Sequence, residues 1–275
     1  DINIKCGNSL LSRFAIDADL KQALIALIRV ARRLCPAGIQ RPELVAEMAA
    51  NRQAFVASNK EWMESADFPM APQRILADLR KALPRDSYIC TDVGWNKNGL
   101  AQQYPVYEPG TIFTPGGFAT MGFGSPAAIG AKIALKDKVV VALVGDGGWG
   151  QNPAVLATAK ESKVAVIWVI MNNHAFGTIA GLEKAHYDTT FGTVFEVDGE
   201  TWSPDYAAIA RAYGIEGITV NSADELLPAL QKAVALNQPV VIDVYMKNIP
   251  TPTAGHWNIM DIYSPGKKVH HVSTD

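Results

Sequence analysis

The sequence predicts an α/β fold built on a parallel sheet with helices covering both faces. Two apolar runs, residues 138–144 and 164–171, are rich in β-branched residues and do not alternate with polar ones. Continuous runs of this kind fill strands that are buried on both sides. A third run, 240–244, has the same character, and segments of helical composition lie between the runs. Strand and helix alternating in this way argue for parallel pairing under two helical layers.

Taken in order, Asp1-Ile2-Asn3-Ile4 reads as a short strand. An Asp17-Ala18-Asp19 cap and an apolar helix over 20–31 follow. Residues 36–69 read as a linker, with Pro36, Gly38 and Pro42, a polar helix near 43–64 and a Phe68-Pro69 turn. From Met70 the pattern becomes regular: a helix over 72–83, a strand over 87–90 and a small-residue helix over 126–135. Next comes a strand over 138–144, then a helix capped by Asn152 with Pro153 at its first position, then the strand 164–171. Helices over 204–213 and 223–236 precede the last strand, 240–244. Residues 251–275 carry His256, Trp257, His270 and His271 without metal-ligand spacing and read as a surface tail.

Composition excludes several classes of function. Lys and Arg number 25 against 27 Asp and Glu, spread evenly, so no basic surface for nucleic acid is expected. Apolar residues make up 48% of the chain, which suits a buried core rather than disorder. No apolar run reaches the ~18 residues that span a bilayer. Cys6, Cys35 and Cys90 are isolated, as expected of small buried residues in a reducing, cytoplasmic setting. Cys90 falls at a strand end near the expected crevice but has no basic partner in sequence, so it is read as structural.

The chemistry concentrates after two of the strands. Gly145-Asp146-Gly147 follows the first long run and Asn172-Asn173 the second. A right-handed crossover sets the carboxyl ends of such strands side by side, where open α/β sheets bind ligands. One carboxylate, one amide oxygen and a neighbouring backbone carbonyl match the oxygen preference of Mg²⁺, which keeps water or phosphate for its other positions. Glycines at 145, 147, 148 and 150 let backbone N–H groups approach an anion, and the helix expected near Pro153 directs its positive end the same way. The pattern reads as a site for Mg²⁺ and a diphosphate. A dinucleotide fold is the weaker reading, because no G-x-G-x-x-G opens a helix with an acidic residue in its place downstream.

These motifs resemble the signature of the thiamine-diphosphate enzymes, a GDG and an NN separated by the family's usual gap. The run Thr114-Pro-Gly-Gly-Phe-Ala-Thr-Met-Gly-Phe-Gly-Ser-Pro-Ala-Ala-Ile-Gly-Ala-Lys132 resembles the segment that cradles the cofactor's two rings in the acetolactate synthase branch. Thr91-Asp92-Val93-Gly94-Trp95-Asn96 resembles the segment that reaches the diphosphate. The resemblance implies that Asp146, Asn173 and the Ala175 carbonyl hold Mg²⁺. It implies further that Gly94, Trp95, Asn96, Gly147, Gly148, Phe176 and Gly177 meet the diphosphate. Met121 would support the bent cofactor, and the Ala119 carbonyl would accept from its amino group. His174 is a candidate acid–base, with a solvated turn residue as the alternative. Glu183, Lys184, His186 and Asp188 read as an exposed helix face.

By the same resemblance, residues 1–35 are expected to be the C-terminal end of a Rossmann-like middle domain, 36–69 a linker and 70–250 the diphosphate-binding domain. A chain opening on Asp1 is expected to be a processed or truncated part of a longer polypeptide, or one subunit of a split enzyme. The glutamate that activates the cofactor belongs in the family to a pyrimidine-binding domain, so a partner polypeptide and an oligomer are implied. Some relatives bind FAD, mainly through regions that have no counterpart in these residues. The activity implied is decarboxylation of a 2-oxo acid followed by carboligation. Simple decarboxylation or C–C cleavage, and a non-catalytic assembly subunit, are the alternatives. Two positions depart from family patterns: Ile179 stands where yeast-type decarboxylases have a glutamate, and Leu182 where acetolactate synthases have a tryptophan.

Overall fold

The computed structural model describes residues 16–249. The strand read at 1–4, Cys6 and the tail from 251 with its histidines lie outside the described residues. The described residues divide into two compact units, which meet in sequence between residues 54 and 55. In the first, α1 (Leu20–Leu34) starts at Asp19, whose side chain accepts from the Gln22 amide at 3.0 Å, and it ends with Arg32 and Arg33 in its last turn. An acceptor at the start and cations at the end both suit the helix dipole. α2 (Pro42–Ser58) follows.

In the second unit α3 (Lys60–Glu64) and α4 (Pro72–Ala82) lead to β1 (Tyr88–Thr91), α5 (Trp95–Gln103), β2 (Ile112–Phe113) and α6 (Gly124–Ala134). Then come β3 (Val140–Gly145), α7 (Asp146–Trp149), α8 (Val155–Glu161), β4 (Val166–Asn172) and α9 (Gly177–Tyr187). A small hairpin of β5 (Glu196–Val197) and β6 (Glu200–Thr201) precedes α10 (Tyr206–Ala212), β7 (Glu216–Val220), α11 (Ala223–Leu236) and β8 (Val240–Tyr245). Six strands pair in parallel in the order β2-β1-β3-β4-β8-β7, which is the α/β sheet the sequence predicts.

Side chains alternate between two cores, one on each face. Ile89, Val141, Leu143, Val169 and Ile242 pack with Ile75 and Leu79 of α4 and Leu226 and Leu230 of α11. Val140, Ala142, Val144, Trp168 and Ile170 pack with Ala128 of α6, Leu156 of α8 and Ala210 of α10. Each fully buried aliphatic side chain stabilises the fold by about 1.5–3 kcal/mol. β4 is buried at every position, so it lies at the centre of both cores.

The helix expected to begin at Asn152-Pro153 starts instead at Val155, and a helical turn, α7, begins on the motif itself at Asp146. The Gly150 amide donates to the Asp146 carbonyl at 2.9 Å, so the glycine run winds into a turn rather than an open loop. The polar helix expected over 43–64 is broken at Asn59 into α2 and α3. The Asn59 side chain donates to the Phe55 carbonyl at 2.9 Å, and a side chain bonded to local backbone in this way competes with helix continuation.

Candidate active site

The chain leaves β1 to one side for β2 and then returns to the other side of β1 for β3. This reversal is a topological switch point, and a cavity opens beside it at the carboxyl ends of β1, β3, β4 and β8. Gly94, Trp95 and Asn96 after β1, Met121, then Asp146, Gly147 and Gly148 after β3 line it. Asn173, Ala175, Phe176 and Gly177 after β4 join them, so that of the residues named from the sequence all but Ala119 and His174 line the cavity. Thr178, Ile179, Met171 and Met246 also line the wall. The β3–β4 register pairs Gly145 with Met171, which sets the two motifs level.

Asp146 is 1% exposed. Its Oδ1 accepts from the Gly147 amide at 2.9 Å and its Oδ2 from the Ala175 amide at 3.3 Å. Burial still pushes its carboxyl up to about 7, with the negative charge of Asp243 adding to the effect and the backbone donors opposing it. The outer end of the Asn173 side-chain amide meets Asn248 Oδ1 at 2.8 Å. Its inner end lies 3.2 Å from both Asp146 Oδ1 and the Ala175 carbonyl.

With its nitrogen inward this amide donates to both neighbours in the ligand-free protein, and with its oxygen inward it joins them as a third oxygen around a cation. Adjacent ligands of an octahedral Mg²⁺, with bonds of about 2.1 Å, lie about 3 Å apart. The donor set therefore fits a hard divalent ion. Among the described residues no group of three or more His, Cys, Asp or Glu side chains is placed to hold a metal.

Beside these oxygens is a cradle that no added side chain could share. A Cβ on Gly147 would come within 2.5 Å of the Phe176 ring, which packs edge-on against Phe195 at 4.9 Å. A Cβ on Gly177 would come within 2.6 Å of Asn173 Nδ2 and 2.9 Å of Trp95. α9 starts here with no side-chain cap, so its first amides face the cavity as an anion site. Thr178 Oγ1 is buried on the same wall without a hydrogen-bond partner. A diphosphate, rich in acceptors and anionic, is what these donors suit.

Met121 reaches the cavity wall. Ala119 does not line the cavity, and its φ of +49° is unusual for a residue with a side chain. His174 is also off the wall: a φ of +53° turns its ring away to stack on Tyr245, 5.5 Å between centroids. The imidazole hydrogen-bonds the Trp202 backbone, and burial lowers its pKa. Asp146 is thus the one titratable side chain on the wall among the described residues. Asn96, named for the diphosphate, spends its amide on the backbone, with Oδ1 accepting from the Asp92 N–H at 3.1 Å and Nδ2 donating to the Val93 carbonyl at 2.8 Å. Glu183 accepts from Thr193 Oγ1 at 2.6 Å, and Lys184 pairs with Asp188 at 2.6 Å on α9.

Sequence reasoning missed three contributors. Thr178 and Phe195 carry no local signal, Phe195 coming from the segment that leads into the hairpin. Asp92, inside a segment that was singled out, was assigned no role. The available signal was an acid at a strand end two residues before a glycine, a pattern equally common in ordinary turns.

The fold and the site define a diphosphate-binding α/β domain, with glycine turns and a hard-oxygen donor set at a sheet switch point. The family model for the thiamine pyrophosphate enzyme C-terminal TPP binding domain matches residues 92–244, and the chain belongs to this family. It is 34% identical over 188 residues to a probable acetolactate synthase large subunit of Methanocaldococcus jannaschii, covering 66% of this chain and 31% of that protein. It is 33% identical to the acetolactate synthase large subunit of Lactococcus lactis, covering 69% of this chain and 33% of the relative. A sulfoacetaldehyde acetyltransferase of Alcaligenes xylosoxydans is 35% identical, covering 59% and 26%. Among solved structures, the thiamine diphosphate-dependent 4-hydroxybenzoylformate decarboxylase of Rhodococcus jostii RHA1 superposes with a TM-score of 0.59 at 26% identity, covering 68% of this chain and 34% of that one. The chain therefore spans about a third of the length of the relatives it matches. No helix among the described residues is long and apolar enough to cross a membrane.

Proposed function

We propose that this chain supplies the diphosphate- and Mg²⁺-binding half of a thiamine-diphosphate-dependent enzyme that decarboxylates a 2-oxo acid and joins the remaining fragment to a second carbonyl. The convergence of the Asp146 carboxylate, the Asn173 side-chain amide and the Ala175 carbonyl beside the carboxyl ends of β3 and β4 carries the reading, since the three can offer a hard cation its oxygens. Asp146, Asn173 and the Ala175 carbonyl would hold Mg²⁺, and Gly147, Gly148 and the first amides of α9 would hold the diphosphate. Bound there, the thiazolium supplies an electron sink for cleaving and forming bonds next to a carbonyl. Met121 supports the cofactor from one side, while Phe176 and Phe195 close the diphosphate end to water.

Among the described residues the wall offers no proton-transfer group besides the proposed metal-binding carboxylate. The acid–base groups, including the activating glutamate, would on this reading come from a partner polypeptide or another part of the same protein. The apolar Ile179 on the wall supports this, since that position contributes nothing to proton transfer. A second reading, plain decarboxylation, is favoured by the likeness to the Rhodococcus jostii decarboxylase.

The test is titration of thiamine diphosphate with Mg²⁺ into the full chain, followed by product analysis with pyruvate once the partner is supplied. An acyloin or 2-hydroxy-3-oxo acid supports carboligation, and a free aldehyde alone moves the assignment to decarboxylation. Cleavage of a 2-hydroxyacyl thioester with no 2-oxo acid consumed would overturn both readings.

A further inference from the structure

Asp92, at the end of β1, is 1% exposed, yet its carboxylate lines no part of the cavity wall. Its Oδ1 accepts from the Val93 amide at 2.8 Å and from the Gly122 amide at 3.0 Å, and its Oδ2 accepts from the Gly124 amide at 2.8 Å. Gly122 directly follows Met121, and Gly124 opens α6, so the two bound the end of the loop that carries Met121. One carboxylate thus holds that loop at two points, and hydrogen bonds to a charged acceptor are about twice as strong as neutral ones. The loop needs holding, because Ala119, a residue with a side chain, sits at a φ of +49°. Backbone in that region persists only where its surroundings over-determine it.

The same carboxylate touches the other half of the site. A Cβ on Gly148 would come within 2.6 Å of Asp92 Oδ1, so the glycine turn after β3 rests directly against it. Asp92 is itself fixed to the sheet, its amide donating to the Leu143 carbonyl at 3.2 Å and to Asn96 Oδ1 at 3.1 Å. Asn96 is thereby explained as a brace for Asp92.

We propose that Asp92 is a positioning residue that sets the distance between the Met121 support and the diphosphate turn at Gly148, and so selects thiamine diphosphate over simpler diphosphates. The inference rests on the cofactor assignment made above. Asp92→Asn keeps the size but replaces one acceptor oxygen with a donor facing another donor. The loop should then loosen, while Asp146, Asn173 and the start of α9 keep their places.

The test compares dissociation constants for thiamine diphosphate and for inorganic diphosphate, each with Mg²⁺, in the wild-type full chain, Asp92→Asn and Asp146→Ala. The expected result is that Asp92→Asn weakens thiamine diphosphate by about tenfold or more but inorganic diphosphate by less than about threefold, while Asp146→Ala weakens both. A merely structural role would lower both ligands together in Asp92→Asn. If the wild type prefers thiamine diphosphate and the variant keeps that preference, the role of Asp92 is wrong and the cofactor assignment stands. If the wild type shows no preference, the assignment fails and this inference with it. Should the variant not fold, hydrogen exchange in the wild type decides: slow Gly122 and Gly124 amides are required, and fast exchange at both overturns the proposal.

Discussion

Replacing Asp146 with Asn should make the ligand-free protein more stable while abolishing its use of Mg²⁺. The carboxyl is pushed from 3.8 to about 7 by burial. A raised folded-state value means that the folded chain holds a proton the unfolded chain has released, so stability falls as pH rises between those two values. Roughly three units at about 1.4 kcal/mol each amount to about 4 kcal/mol of lost stability above pH 7. The group is 1% exposed, so solvent screening does not reduce this much. A neutral amide avoids the loss. At about 2–4 °C per kcal/mol for a domain of this size, the variant should melt roughly 8–16 °C higher at about pH 8 without metal.

The gap should narrow to about 2 kcal/mol near pH 5 and close below about pH 4. Differential scanning calorimetry over that pH range, with and without Mg²⁺ and thiamine diphosphate, is the assay. Ligand should raise the wild-type midpoint and leave the variant's unmoved. A variant that melts lower than wild type at about pH 8, or that gains as much from ligand, would refute the reasoning.

Other expectations follow from the same geometry. Since a proton competes for Asp146, the apparent Mg²⁺ affinity should be level above about pH 7 and fall about tenfold per unit below it, as read by calorimetric titration. Gly177→Ala, whose Cβ would press within 2.6 Å of Asn173 Nδ2, should weaken Mg²⁺ binding about tenfold or more with little change in far-UV circular dichroism. Ala119→Gly should relieve a left-handed backbone and raise the urea midpoint by the equivalent of about 1 kcal/mol. Cys90, buried with its thiol pushed up to about 12, should resist a thiol reagent until the protein unfolds, whereas exposed Cys35 reacts in the native state.

The strands that carry the motifs were legible because burial on both faces leaves an unbroken apolar record, as in β3, β4 and β8. α11 was read to the residue, its Ala-Asp-Glu opening and apolar face agreeing. α5 was missed because Trp-Asn-Lys-Asn-Gly is poor helix material, and the helix is kept by packing Leu100 into the core. β7 was missed because an edge strand opening with Glu-Gly shows too little of its buried face. In the site, residues that touch through strand-end geometry were legible from motif spacing. The orientation of His174 and the reach of Asp92 were not, since both depend on backbone angles and on partners about 30 or more residues away.

The tie between Asn173 and Asn248 has a bearing on the order of folding. Asn248 lies beyond β8, and Asn172 Nδ2 is held by Asp243 on β8 at 3.1 Å. These contacts close loops of more than 70 residues, which are among the last to form in a parallel sheet. The Asp146 and Asn173 side chains therefore come together only after the final strand has docked. Metal capture during refolding should lag the appearance of secondary structure and report completion of the sheet, so a nascent chain lacking its last strand would display both motifs and still take up no ion.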